Sequence, residues 1–437
     1  LLTNSGFDVW SNSTLENVTG TNLVTNGTFD SDTGWTKEGS WTVDAGDSNV
    51  ASSGGSGTLS GLYQAATRTT GKLYKVSLTI SSYSSGGIAF STNGTTAYQS
   101  PVFSSNGTHT WVFEESGVGT VRNWIMTVGT TTASVDNVTV YEVTPGCVAA
   151  DTLACEGLEK GTQTDVFRQH NDGGTLTHDG SFYGLKVVGA ATGEIVYVKI
   201  PDSGQDPMWI QQYAGRTVTI GMWAKTSDAS LVRLGFYDSV NSHVRGSYHA
   251  GDGNWAWMEL THTFGAAMTQ FYIYLMASTG ATGTAYISQP ILVFGSSIGE
   301  GNYTRPQGEV VYFEKKVTSN YLHNNIGLSD EDATLNTEAD SNGAVPKGAK
   351  GIFVLTNCGD EGSAASAATD TWFTMRADGN QDWIYYNVPQ GKADDKRHIK
   401  TAWQPCNTDG DVTYGVYASG SDTFDVVQFE YKGVQLR

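Results

Sequence analysis

The sequence predicts an all-β protein built of β-sandwich domains, and three observations carry that reading. Period-two alternation recurs along the chain. Val76, Leu78 and Ile80 alternate with Ser77 and Thr79, and Val218, Ile220, Met222 and Ala224 with Thr217, Thr219, Gly221 and Trp223. Phe271, Ile273 and Leu275 alternate with Tyr272, Tyr274 and Met276. Such runs are strands with two unlike faces. Turn dipeptides separate them: Asn93-Gly94, Asn106-Gly107, Asp252-Gly253, Asp378-Gly379 and Asp409-Gly410. The composition agrees. Gly is 53 of 437 residues, aromatics are 11% and charged residues only 16%, which suits turn-rich sheets and excludes a disordered chain.

Helical periodicity is nearly absent. One short helix is predicted after Ser329, which would cap it with Asp332 three residues on. Asp330, Glu331 and Asp332 would then sit at the positive end of its dipole.

At roughly 100–200 residues per domain the length predicts two to four domains. The boundaries come from a repeated opening. Leu2-Thr3-Asn4-Ser5-Gly6-Phe7-Asp8 matches Val24-Thr25-Asn26-Gly27-Thr28-Phe29-Asp30 at an offset of 22 residues. That offset cannot hold a sandwich, so these are not complete tandem repeats. The second copy continues into a module over 22–145, closing at Ser134–Val140. Another module, 147–308, closes similarly at Tyr286–Leu292 but has no opening of its own near 155. Residues 1–20 are therefore expected to supply its first strand, with the 22–145 module inserted after it. A connector is expected over 309–345, containing a strand from Val310. A C-terminal β domain follows over 346–437, with strands at 351–356, 371–377, 382–388, 411–418 and 425–431.

These motifs carry a family resemblance. Asn22–Asp30, Gly34-Trp35 and the closing Asp136-Asn137-Val138 resemble jelly-roll carbohydrate-binding modules, which are attached to glycosidases and common in tailed-phage virion proteins. The 147–308 module, with Trp223-Ala224-Lys225-Thr226-Ser227 and Gly253–Leu260, looks like the same superfamily. The layout as a whole looks like a virion fibre or appendage protein, over 1–308 more specifically than over 309–437.

The resemblance implies a calcium ion joining the first and last strands in the 22–145 module, where Asp30 and Asp136 stand at two ligand positions; hard oxygen ligands suit that ion. In the other module Ser288 stands opposite the Asp136 position, so no ion is expected there. The resemblance also implies host-surface attachment through glycans, virion protein partners, a homotrimer, and a virion or extracellular location.

Glycan recognition needs aromatic faces and a few polar groups. Trp223, Tyr272 and Tyr274 lie opposite the aliphatic faces of their strands, and Arg233 and Tyr237 share one face of 231–238. These five are the candidate glycan-binding residues. The competing reading makes them an inter-sheet core or a subunit contact. Trp111 and Trp257 read as core residues, and Trp35 and Trp41 as either.

Other chemistry is weakly indicated. Net charge is −19, and each third is acidic: 5 basic against 11 acidic residues over 1–146, 9 against 14 over 147–308, and 11 against 19 over 309–437. No basic surface for nucleic acid is predicted, and no apolar run is long enough to insert in a membrane. Leu1–Asn4 has neither the basic nor the apolar region of a signal peptide. Of the Asn-x-Ser/Thr sites at Asn12, Asn17, Asn26, Asn93, Asn106, Asn137 and Asn302, three (Asn26, Asn93 and Asn106) coincide with Asn-Gly turns. Cys147 with Cys155, and Cys358 with Cys406, read equally as disulfides or as buried thiols.

Gly295–Gly299 matches G-x-S-x-G, but no helix is predicted to follow, as a nucleophile elbow requires. No enzyme is predicted. The expected role is a virion fibre or appendage protein displaying carbohydrate-binding-like modules. The alternatives are the non-catalytic glycan-binding region of a secreted polysaccharide-degrading enzyme, or a purely structural capsid fibre or decoration protein.

Overall fold

The computed structural model describes residues 2–436 except 47, 56, 58, 149–151, 190–195, 278–281, 306, 321–329, 361–371, 379–383, 387–396 and 418–423. The fold is all-β, and the helices among the described residues are all short. The chain divides into two compact units, Glu16–Thr144 and the pair of segments Leu1–Leu15 with Pro145–Arg437.

The unit over 16–144 holds the second half of β1 (Thr14–Asn17), then β2 (Thr36–Lys37), β3 (Thr42–Asp44), β4 (Val50–Ser52), β5 (Gly61–Ala65), β6 (Leu73–Ser91), β7 (Gly107–Glu114) and most of β8 (Arg122–Cys147). The long strand β6 lies between β7 and β8 in antiparallel register, with Val76 opposite Trp111 and Val140. Its alternation does what the sequence predicts: Val76, Leu78 and Ile80 are buried with Phe29, Trp35 and Trp41 in one core. Trp111 packs against that core from a half-buried position.

The other unit contains two sandwiches. The first has β9 (Leu158–Lys160), β10 (Thr164–His170), β11 (Tyr183–Gly189), β12 (Val196–Val198), α1 (Pro201–Gly204), α2 (Pro207–Tyr213), β13 (Thr217–Thr226), β14 (Gly235–Asp238), β15 (Ser242–Arg245), β16 (Trp255–Thr263), β17 (Phe271–Met276) and β18 (Gly283–Phe294). One sheet runs β16-β13-β18-β11-β10 and the facing sheet β15-β14-β17-β12-β9. Val218, Ile220, Met222 and Ala224 of β13 meet Phe236, Ile273 and Leu275 between them. At about 25 cal/mol per Å² of apolar surface removed from water, this closure dominates the stability of the domain.

The second sandwich has β19 (Val310–Thr318), β20 (Asp330–Leu335), α3 (Thr337–Asp340), β21 (Gly351–Asp360), β22 (Trp372–Arg376), β23 (Ile384–Tyr385), β24 (Arg397–Pro405), β25 (Val412–Tyr417) and β26 (Phe424–Gln435). Its sheets run β19-β26-β21-β24 and β20-β25-β22-β23. The segment expected as a connector, 309–345, therefore supplies an edge strand to each sheet. Val311 and Leu335 bury in the shared core, which is why the stretch is not a linker. The helix expected after Ser329 is not formed. Ser329 itself lies outside the described residues, and Asp330–Leu335 pairs with β25, cross-strand bonding prevailing over a weak cap signal. The short helix begins later, capped by Asn336, whose side chain accepts from Ala339 N–H.

The repeated openings adopt one conformation. Asn4 and Phe7 both have φ of 56°, and Asn26 and Phe29 both have φ of 52°. In each, the Phe amide donates back to the Asn carbonyl, at 2.9 Å and 3.3 Å. A bulky residue held at positive φ is strained; both Phe rings offset this by complete burial. The opening of 1–20 is thus a turn, not the strand expected: residues 3–6 are in turn and the first strand is Thr14–Asn17. The closing motifs match too, with Asn137 at φ 52° and Gln289 at φ 53°. Cys147, Cys155, Cys358 and Cys406 are free thiols.

Candidate functional site

The five residues expected to bind glycan do not form one site. The structure brings three of them together. Tyr237 of β14 stands directly opposite Tyr272 of β17, on the face turned away from the core. Tyr272 and Tyr274 are ring neighbours at 6.0 Å, and Tyr237 and Tyr272 at 5.9 Å. Two further rings, not foreseen, extend the row. Tyr197 of β12 lies 6.3 Å from Tyr272 and 6.1 Å from Tyr274. His243 of β15 lies 4.8 Å from Tyr237 and 6.1 Å from Tyr274. The signal for Tyr197 was the alternation of Val196, Tyr197 and Val198, and that for His243 was its place in the hairpin after Asp238.

The result is a row of four tyrosines and a histidine across four adjacent strands. Tyr197, Tyr237 and Tyr272 are half-buried and His243 is exposed. Tyr274 is buried, at 4% exposure, among its neighbours. The apolar residues between them, Phe236 and Ile273, point inward, so the strand alternation itself sets the tyrosines outward. Rings packed against one another on a sheet lose little freedom on binding and offer apolar surface together with phenolic hydroxyls. Gln270 reaches one of these, its side-chain amide donating to the Tyr272 hydroxyl at 3.0 Å.

Trp223 lies on the opposite sheet. Its ring is stacked by His178 at 3.8 Å and 12°, and Trp257 meets it edge-on at 5.9 Å. Trp255 closes the group, edge-on to His178, with its indole N–H on the Gly174 carbonyl. Burial holds the His178 imidazole below its ordinary pKa, against the opposing pull of Asp179. One face of Trp223 is thus taken by the chain's own ring. Trp257, expected in the core, is half-buried on this outer face. Gly221 opposite Glu259 leaves room for it, since a Cβ there would come within 2.4 Å of the Trp257 ring.

Arg233 is not in the tyrosine row. It precedes β14, donates to the Ala277 carbonyl at 2.9 Å and lies 4.3 Å over the Tyr248 ring.

Asp30 and Asp136 are each engaged locally. Asp30 accepts from Thr28 and Asn49 side chains, and Asp136 from the backbone and side chain of Asn137. No group of three or more His, Cys, Asp or Glu able to hold a metal occurs among the described residues. Calcium takes six to eight oxygens, so carbonyls and water would have to complete any site here. In the other unit the matching carboxylate, Asp8, holds Arg305 at 2.5 Å, a fixed cation in place of an ion.

Gly295–Gly299 is a loop. Glu259 accepts from the amides of Ile298 and Gly299 at 3.0 Å and 2.8 Å, and no helix follows directly among the described residues. No described helix is long and apolar enough to cross a membrane.

No family model and no curated protein matches the sequence. Among solved structures, the chain is similar to the tandem CBM22-1–CBM22-2 domain of Xyn10C from Paenibacillus barcinonensis. Identity there is 12%, covering 63% of this chain and 98% of that one, with a TM-score of 0.25. It is also similar to carbohydrate-binding modules of the β-sandwich superfamily, at 15% identity, 60% and 99% coverage and a TM-score of 0.18. A third is a triple jelly-roll structure from an archaeal virus, at 8% identity, 86% and 82% coverage and a TM-score of 0.15. Likeness this distant assigns neither ligand nor role.

Proposed function

We propose that the chain is a structural fibre or appendage protein of a virion, whose carbohydrate-binding-like modules attach it to host-surface glycans. The observation that carries this reading is the outward tyrosine row of β12, β17 and β14, extended by His243 of β15. It offers sugar C–H faces a platform that the chain's own side chains leave half-exposed. Each contact is weak, and multiple copies on one particle would multiply it.

Self-association is part of the proposal, and the terminal sandwich supports it. Tyr312, Phe353 and Trp403 line up across the outer face of β19-β26-β21-β24, with ring separations of 6.0 Å and 5.0 Å. Tyr312 is 62% exposed, Ile399 64% and Trp403 38%. Aromatic clusters this open are typical of surfaces that meet a partner. The calcium ion at Asp30 and Asp136 is likewise kept as a proposal.

A glycan array with the full chain tests the central reading. Binding is expected for wild type and for Trp223→Ala, and its loss for Tyr272→Ala. Loss with Trp223→Ala alone would place recognition on the other sheet. Hydrolysis of any glycan on the array would contradict a purely binding role.

A further inference from the structure

A strained turn beside the tyrosine face sets the direction of one of its hydroxyls. Asp202 and Ser203 of α1 both hold left-handed backbone, at φ 51°, ψ 38° and at φ 53°, ψ 41°, and Gly204 continues it at φ 75°. Consecutive left-handed residues are costly for any side chain but glycine, and such strain persists only where the surroundings fix it. Gly204 fixes it here. A Cβ at that position would come within 1.9 Å of the Phe271 carbonyl oxygen, so the turn is pressed against the start of β17. The Ser203 carbonyl is thereby brought to Gln270, the residue before β17, whose Nε2 donates to it at 3.0 Å. The same nitrogen donates to the Tyr272 hydroxyl at 3.0 Å. A carbonyl only accepts, so the Gln270 amide cannot be turned the other way round, and both of its N–H groups are used. The Tyr272 oxygen therefore accepts. Its own proton points away from Gln270 and meets no acceptor among the described residues.

We propose that Gln270 is a positioning residue that makes Tyr272 a hydrogen-bond donor, and that the face takes an N-acetylated oligosaccharide, its acetamido carbonyl accepting from Tyr272 and its acetamido methyl resting on Tyr237. The inference rests on the glycan-binding reading and adds the group that is recognised. A carbonyl is satisfied by a donor alone. A hydroxyl in its place brings a proton of its own, for which the Tyr272 oxygen, already taken by Gln270, offers no acceptor. The methyl suits the neighbouring ring: Tyr237 stands opposite Tyr272 at 5.9 Å and is half-buried, and the negative face of an aromatic ring receives C–H groups well. A proton held outward before the sugar arrives does not have to be ordered on binding.

The test is titration calorimetry of the full chain with tetra-N-acetylchitotetraose and cellotetraose, which differ in carrying acetamido groups or hydroxyls at the same carbon. The acetylated probe is expected to bind about tenfold tighter. Gln270→Glu places a carboxylate that captures the Tyr272 proton, and should weaken the acetylated probe about tenfold with an unchanged circular dichroism spectrum. Gln270→Leu, which leaves the hydroxyl free to turn, should lose less. Glu matches Gln in shape better than Leu does, so a packing role would give the reverse order. In a Tyr272→Phe background Gln270→Glu should change nothing further. If cellotetraose binds as tightly, if Gln270→Glu binds like wild type, or if its loss persists beside Tyr272→Phe, the assignment is overturned while glycan binding stands. If neither probe binds, the assignment also falls, and the array alone decides the glycan-binding reading.

Discussion

Val9 and Trp10 are neighbours in sequence, both are fully buried, and they belong to different hydrophobic cores. Trp10 sits with Phe7 and Leu2 in the core of the first sandwich of the discontinuous unit, and Val9 in that of the terminal sandwich. The backbone between them is fixed on both sides. Trp10 N–H donates to the Ala344 carbonyl, its indole N–H to the Phe7 carbonyl, and Ser11 N–H to the Glu156 carboxyl. Residues 2–13 thus tie the two sandwiches together.

That tie predicts a stability effect out of proportion to its length. Trp10→Ala should cost about 3–5 kcal/mol. Both sandwiches should shift together in urea, read by a probe in each. If the terminal sandwich keeps its midpoint when Trp10 is removed, the two are not coupled through this segment.

The buried ion pair Arg168–Glu338 joins the same two sandwiches. Both side chains are nearly inaccessible; the Tyr183 hydroxyl also donates to Glu338, and Arg168 donates to the Gly343 carbonyl. Arg168→Met alone leaves a buried carboxylate without its cation and should destabilise by about 3–5 kcal/mol. Adding Glu338→Gln should restore a good part of that. A double-mutant cycle measures the difference, and additive losses would show that the pair is not coupled.

Glu156 sets a pH dependence. Burial pushes its carboxyl up from 4.5 to about 7, against the lowering effect of the Ser11 hydrogen bonds. Between those values the folded state holds a proton that the unfolded state has released. Stability therefore falls as pH rises from about 4.5 to about 7, then levels, by about 3 kcal/mol in all. Glu156→Gln should flatten that stretch of the urea-midpoint profile. A slope that survives the substitution would mean the dependence arises elsewhere.

Calcium is testable in the same way. If Asp30 and Asp136 share an ion, millimolar calcium should raise the melting temperature of wild type and leave Asp136→Asn unmoved, through binding to the folded state. An equal response in both proteins, or none, would remove the ion from the account.

The strand faces were legible because alternation is local: Val218 to Ala224 inward and Tyr272 and Tyr274 outward could be read residue by residue. Which faces meet was not. Trp223 and Tyr272 look equivalent in sequence, both aromatic and both opposite an aliphatic face, yet they stand on opposite sheets of one sandwich. Strand order is fixed by long-range pairing, which no local window contains. The cover of Trp223 by His178 was hidden for the same reason, as His178 arrives from a loop. Strand β24, with Trp403, was missed because His398, Lys400 and Gln404 mask its alternation, although β21 pairs along its whole length. The repeated opening was visible as sequence, but its positive-φ turn was not, since a bulky residue such as Phe rarely adopts one.

The most direct measurement is a crystal structure of the full chain with the oligosaccharide that binds best on the array. The account predicts sugar rings against Tyr237 and Tyr272, on the outer face of β14 and β17. Sugar density on the Trp223 face, with the tyrosine row bare, would contradict it.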